Sequence, residues 1–521
     1  MPKKRYKGWN PDQQLLVPPS LRDWLPEDHP VYLMLDILEE LDVSAIEEKY
    51  QRKDPRGTRP YAPKMMAGLL LYGYSVGIRS SRKLEKATYE DIPFRVLTAD
   101  NHPDHTRIAE FRRKHLEELE GLFLQVFQIC QRMGLVELGN VALDGTKVQA
   151  NASKHKAMSY ERMLQEEKRL KEEIQQMLEE AEATDREEDE RFGRENRGDE
   201  LSEELKRRKD RLAKIQEAKA DLEKEATRGR AEEVQAKADR AETRAETHES
   251  KKERSRSETL AEKWGKEAER LREEAAGQPG EDPPEAQTPE GMPAHRPKTQ
   301  TGGTPKPSAQ RNFTDPESRI MEKGGEFLQG YNCQLVVDEA NQIIVAQGLV
   351  NNAPDNGNFG PMARKATRNA EEAPEAVLAD SGYWSEEAPD EAEACGTEAY
   401  IATGRQPHGK KTPTDSEANF GVNSGDFSGA PPEEATAQEV MSQKLQTREG
   451  LDRYAKRKAV VEPAIGQIKE TGSFRQFHLR GLQKARREWA LVCTGHNLRK
   501  LYRAFQAGDC TGGVLGSTAS G

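Results

Sequence analysis

The chain is most informative first for what it lacks. No run approaches the roughly 18–20 apolar residues that a membrane-spanning helix needs, and no apolar stretch follows the basic opening MPKKRYKGWNPDQQ, so neither a membrane span nor a secretory leader is read. The five cysteines, Cys130, Cys333, Cys395, Cys493 and Cys510, are scattered with no Cys-x-x-Cys pair. That excludes a disulfide scaffold or a zinc knuckle and points to a reduced, cytoplasmic compartment. Aromatics are 6% of the residues, and hydrophobic residues at 34% barely outnumber charged ones at 33%. One core cannot run through 521 residues of that composition. The balance predicts a globular protein of about three or four domains carrying a long solvated segment.

A net charge of −11 argues at first against a nucleic-acid partner, but its distribution matters more. Residues 1–150 are neutral, 151–300 and 301–440 are acidic, and 441–505 are strongly basic. One basic block inside an acidic protein suits local contact with phosphates. It equally suits a merely solvated basic helix.

Along the chain, residues 1–135 read as an all-α domain. Val31–Tyr50 has apolar residues at helical spacing, Pro63 opens a helix through MMAGLLLYGYSVG, and Ser80–Tyr89 and Thr106–Met133 continue the pattern. Arg79, Arg82, Lys83, Arg107, Arg112, Arg113 and Lys114 lie on these helices, giving either a DNA-gripping face or a packing module. ELGNVALDGTKVQA reads as a short strand ending near Asp144 and then a turn, within a core segment 136–155. Residues 156–276, dense in Glu, Lys, Arg, Ala and Gln with narrow apolar stripes, predict a charged, coiled-coil-like helical insertion turning at 193–198 and fraying over 231–257. The Pro- and Gly-rich stretch to residue 310 reads as a flexible linker. Order returns over 311–475. GYNCQLVVDEANQIIVAQGLVN is a hairpin, 355–369 a helix, AVLAD and AYIAT short strands, 404–436 loop, and 437–470 helical. A C-terminal amphipathic helix lies within 476–506, and 507–521 reads as a disordered tail.

Strand, hairpin, helix, strand, strand, helix is the order of a ribonuclease H-like α/β core, in which the first strand neighbours the later short one. That order would bring Asp144 and Asp380 together, with Glu462 on the helix YAKRKAVVEPAIGQIKE. Cutting a phosphodiester requires an activated oxygen nucleophile and a stabilised leaving oxygen, which two divalent metals held by carboxylates supply. Mg²⁺ takes hard oxygen ligands and keeps several waters, so two or three carboxylates suffice. Singly, each residue also reads as a turn, cap or surface group; the combination carries the chemistry. Lys469 is seven residues beyond Glu462 and falls on the same helical face, with Arg457 and Tyr454 about one and two turns before Glu462. Pro463 either belongs to a first helical turn or kinks the helix.

DPRGTRPYAPKMMAGLLLYGYSVGIRSSRKLE, HPDHTRIAEFRRKH, ALDGTKVQANASKHKAMSYERM, QRNFTDPESRIMEKGGEFLQGYNCQLVVD, LADSGYWSE and the stretch from YAKRKAVVEPAIGQIKE to HNLRKL together resemble the DDE transposases of bacterial insertion sequences. The resemblance is to the group with a Tyr-Arg-Glu-Lys signature, and it runs nearly end to end. It implies catalytic and metal-ligand roles for Asp144, Asp380 and Glu462, toward a pair of Mg²⁺ ions with Mn²⁺ as substitute. It implies DNA or structural roles for Tyr454, Arg457 and Lys469, and Arg475 and Arg480 in the same basic stretch join the DNA-binding candidates. It further implies cleavage at terminal inverted repeats, joining of 3′ hydroxyls to target DNA, a homodimer or higher oligomer at synapsis, and a place beside the bacterial nucleoid. Two other readings share the core motifs: a ribonuclease H-like nuclease without strand transfer, and a non-catalytic coiled-coil DNA-associated protein.

Overall fold

The computed structural model describes residues 20–51, 59–192, 203–247, 251–276, 291–300, 303–404 and 435–510. These form a mixed α/β structure with a helical majority, divided into two compact units, 1–135 with 494–521, and 136–493. No helix among the described residues is long and apolar enough to cross a membrane.

The first unit is all helical: α1 (Pro30–Glu40), α2 (Ser44–Gln51), α3 (Pro63–Ser75), α4 (Ser81–Glu90), α5 (Ile92–Leu97), α6 (His105–Lys114) and α7 (Leu116–Arg132). Pro30 and Pro63 start their helices in the first turn, where a missing N–H costs nothing. In α3 every residue from Met66 to Ser75 is buried, which makes it the central helix. A Cβ on Gly68 would lie 2.5 Å from Leu38 Cδ1, so this glycine permits α1 and α3 to cross closely. The spacing over 31–50 predicts one helix, but two form. Leu41 turns extended, and Gln125 takes both the Asp42 N–H (2.8 Å) and carbonyl (3.2 Å) that a continuous helix would have used. Two of the basic residues here are interior. Arg112 is 8% exposed and donates to the Arg79 carbonyl at 2.8 Å, so it holds the turn before α4 rather than facing solvent.

The second unit is built on β1 (Asn140–Gln149), with a small strand β2 (Ala157–Ser159) before the insertion. The insertion is three helices, α8 (Tyr160–Phe192), α9 (Glu203–Thr247) and α10 (Lys251–Ala276). The turn expected at 193–198 lies outside the described residues. Tyr160, Met163, Leu170, Ile215, Ala218 and Leu222 form the apolar seam near its base. The fraying expected over 231–257 is not seen among the described residues. There the seam is built of Ala231, Ala238, Ala241 and Ala245, facing a helix that buries Ala268, Leu271 and Ala275. Alanine is a strong helix former but a weak hydrophobicity signal, so a stripe of it reads as no stripe.

The chain then returns through β3 (Gln310–Asn312) to β4 (Arg319–Lys323), β5 (Glu326–Asp338) and β6 (Ile344–Val350), followed by α11 (Phe359–Ala370), β7 (Ala376–Ala379), α12 (Ala388–Glu393) and β8 (Glu398–Ile401). Ahead of β3, part of the expected linker lies on the core. Met292 is fully buried with its thioether against Gly348, and the His295 N–H reaches Asn351 Oδ1 at 2.9 Å. Helices α13 (Ala437–Gln446), α14 (Arg448–Gly466) and α15 (Leu482–Ala507) complete the fold. The main sheet runs β4-β5-β1-β7-β8, with β6 also on β5. Strand β1 is antiparallel to β5 and parallel to β7. Being central, it buries Val141, Ala142 and Leu143 on both faces.

Candidate active site

Register decides where the two aspartates lie. Leu143 pairs with Ala379 across the parallel β1–β7 ladder, so Asp144 and Asp380, each one residue further, leave neighbouring strands at the same level. Each carboxylate is anchored to nearby backbone: Asp144 Oδ1 accepts from the Gly145 N–H (2.7 Å), and Asp380 Oδ1 from the Gly382 N–H (2.8 Å). Burial and the Asp380 charge push the Asp144 carboxyl up to about 6.

Helix α14 packs across β1 and supplies cations. Arg457, 8% exposed, places Nη1 3.6 Å from Asp144 Oδ2, and its guanidinium lies 5.9 Å from the Tyr454 ring centroid. Burial and then the Arg457, Asp380 and Asp144 charges act on the Tyr454 hydroxyl, which ends above its ordinary value. Lys469 donates to Thr146 Oγ1, and Thr146 lies two residues beyond Asp144 on the same strand face. Burial and the adjoining Lys323 amine bring the Lys469 ammonium down to about 8.

The helix itself differs from an ideal one. Pro463 sits inside α14, not in a first turn. Its missing N–H frees the Ala459 carbonyl four residues back, and Gln342 Nε2 from the β5–β6 turn donates to it at 3.3 Å. Residues Gln467–Thr471 then widen into a π turn. That turn breaks the seven-residue alignment expected of Glu462 and Lys469. The lysine turns in to β1, whereas Glu462 is exposed and, among the described residues, engaged by no hydrogen bond or ion pair. Arg475 and Arg480 are both exposed on the segment that follows. This segment lies along the end of β1: Phe477 N–H donates to the Gln149 carbonyl (2.9 Å), and Arg480 Nε to the Asn151 carbonyl (3.0 Å). Glu488, fully buried, accepts from the His478 and Leu479 N–H groups at 3.0 and 2.9 Å and so fixes that segment. Sequence reasoning missed Glu488, because a lone glutamate directly after Arg486 and Arg487 in a basic helix looks like a surface residue.

Asp144 and Asp380 therefore converge, Tyr454, Arg457 and Lys469 surround them, and Glu462, Arg475 and Arg480 line exposed positions on the same C-terminal stretch. The pair fits a divalent cation by donor type: two hard oxygen ligands, one of which burial and then the other's charge already raise. Among the described residues no three His, Cys, Asp or Glu side chains meet as a complete ligand set.

Two family models match the chain. One, described as a transposase domain (DUF772), covers residues 19–114, and the other, a transposase DDE domain, covers residues 430–502. The second match contains Tyr454, Arg457, Glu462, Lys469, Arg475 and Arg480; Asp144 and Asp380 lie between the two. No curated protein and no solved structure matches.

Proposed function

We propose that this insertion-sequence transposase of the DDE type cuts DNA at the ends of its element and transfers the freed 3′ hydroxyls to target DNA, with Asp144, Asp380 and Glu462 as the ligands of its divalent metals. The observation that carries the reading is the level pairing of Asp144 and Asp380 on adjacent parallel strands. The sheet order β6-β5-β1-β7-β8, with the antiparallel hairpin on one side of β1 and the parallel strands on the other, supports a ribonuclease H-like core.

When bound, a pair of Mg²⁺ or Mn²⁺ ions would lower the pKa of the attacking oxygen and neutralise the leaving one. The chain's own residues do the rest. Asp144 and Asp380 present fixed oxygens from a rigid sheet, and Glu462, exposed on α14, is the carboxylate that would complete the set. Arg457 offsets the carboxylate charge on Asp144 while DNA is absent. Lys469, tethered to Thr146, offers a cation for a phosphate beside the scissile bond, and Arg475 and Arg480 extend that contact outward.

The test is a joining assay. Purified protein with Mg²⁺ or Mn²⁺ and DNA ends already cut to a 3′ hydroxyl gives a joined product; cleavage with no joining would leave a nuclease and end the strand-transfer reading. Lys469→Ala lowers DNA affinity and shallows its dependence on log salt by about 0.9, as loss of one phosphate contact requires. Because burial and Lys323 hold that ammonium near 8, wild-type affinity falls as pH rises through about 8, and the alanine variant lacks this step. Titrations of a labelled DNA end at several salt concentrations and pH values read both effects.

A further inference from the structure

A third carboxylate lies under the aspartate pair. Asp355, in the loop between β6 and α11, accepts at Oδ1 from Asn332 Nδ2 (2.7 Å), Gln334 Nε2 (2.9 Å) and Lys147 Nζ (3.3 Å), and at Oδ2 from Lys147 Nζ (3.0 Å). Gln334 in turn accepts at Oε1 from the Tyr383 hydroxyl. This hydrogen-bonded chain joins β1 (Lys147), β5 (Asn332, Gln334), the loop bearing Asp355 and the turn after β7 (Tyr383). Asn332 and Gln334 are fully buried and Tyr383 is 1% exposed.

The chain passes directly beneath the glycines of both aspartate motifs. A Cβ on Gly145 would lie 2.7 Å from Asp355 Oδ1, 2.8 Å from Gln334 Nε2 and 3.1 Å from the Tyr383 hydroxyl. One on Gly382 would lie 3.0 Å from Asp380 Oδ1 and 3.7 Å from Asp355 Cβ. Gln334 is the register partner of Gly145, so its side chain crosses where a side chain at 145 would stand. The N–H groups of these same glycines hold Asp144 Oδ1 and Asp380 Oδ1. The height of the glycine backbones over the polar chain thus sets the aim of both carboxylates.

We infer that Asp355 is a positioning residue for the metal site, locking Gly145 and Gly382, and through them Asp144 and Asp380, by its bonds to Lys147, Gln334 and Asn332. It is not itself a ligand. Both of its oxygens are occupied by protein donors, and releasing them would strand two buried amides and a lysine. The inference rests on the metal-dependent reading of the site above.

The measurement is Mn²⁺ binding to the protein alone, by titration calorimetry, with hydrogen exchange of the metal-free protein alongside. Outer residues of this kind typically change metal affinity about 10–100-fold. Asp355→Ala weakens Mn²⁺ binding within that range, Tyr383→Phe weakens it less, and both speed exchange at Gly145 and Gly382. Thermal melting selects variants that are folded at the assay temperature, and Asp355→Asn, which keeps the side-chain shape, stands in should the alanine variant fail to fold. Wild-type Mn²⁺ affinity in folded Asp355→Asn and Tyr383→Phe overturns the inference. So does loss of Mn²⁺ binding in Asp355→Asn as complete as in Asp144→Asn, which would make Asp355 a ligand. Undiminished Mn²⁺ binding in Asp144→Asn sinks the metal-site reading itself, and this inference with it.

Discussion

Asparagine in place of Asp144 or Asp380 lowers DNA strand cleavage on the order of a thousandfold or more, about 4 kcal/mol of transition-state stabilisation. Binding of the DNA end without divalent metal stays within about twofold. Both side chains are level on β1 and β7, so neither substitution disturbs packing; it removes one ionised oxygen. Stability moves the other way. Burial and Asp380 hold the Asp144 carboxyl near 6 in the folded protein, against an ordinary value of 3.8. A raised carboxyl favours the protonated form, so metal-free stability is lost as pH climbs from about 4 to 6, by on the order of 3 kcal/mol at most. Asp144→Asn escapes that loss. It melts higher than wild type at pH 7 without metal, and the gap closes below about pH 4. Protons and metal also compete for Asp144, so the metal concentration for half-maximal cleavage rises about tenfold per unit as pH drops below 6. Cleavage rates, metal-free melting and DNA binding across pH check the three together. Near wild-type cleavage in either variant removes that residue from the site.

Much of this site was legible because its signals are local. An apolar run leading into Asp and then Gly or Ser, twice, needs no knowledge of distant contacts, and the hairpin over 330–351 follows from its two apolar runs around a turn. What was hidden depends on partners remote in the chain. Nothing in APDNG marks Asp355 as the neighbour of Lys147, 208 residues away. The π turn that carries Lys469 inward is set by packing on β1 and by Gln342, not by helix propensity. The strand expected to end near Asp144 runs on through Gly145 to Gln149. Gly145 is a strand residue kept small by a side chain from the opposite strand. The insertion shows the reverse problem. Its charge pattern announced helices, yet the alanine seam that joins α9 to α10 lies below the contrast that periodicity can read.

Removing the Glu225 carboxylate costs about 3–5 kcal/mol, the scale for stranding buried cations by deleting their partner. Glu225 sits on α9 and binds two arginines of the segment that returns the chain to the sheet. Arg311 Nη1 is 2.6 Å from Oε1, and Arg319 Nη2 is 2.9 Å from both oxygens. The arginine side chains are 9% and 6% exposed, and Arg311 also reaches Asp221 at 2.7 Å. Burial opposes ionisation of Glu225, but the Arg319 and Arg311 charges overcome it and hold the carboxyl below its usual range. A depressed carboxyl stabilises above its unfolded value near 4.5 and loses that contribution as pH falls through the folded one. Glu225→Gln is therefore most damaging at neutral pH, and its deficit shrinks in acid. The consequence is not confined to the insertion. Between the two arginines lie Asp315 and Glu317, which accept from the Gly481 and Leu482 N–H groups at the start of α15 (3.2 and 2.8 Å), and Asp315 also receives the Tyr331 hydroxyl of β5 (2.8 Å). An insertion clamped at Glu225 thus orders the segment on which the C-terminal helix is founded. Urea unfolding of Glu225→Gln at pH 7 and pH 4 measures the cost and its pH dependence. A deficit that is small, or equal at both pH values, would mean that Arg311 and Arg319 hold the segment without the insertion's charge.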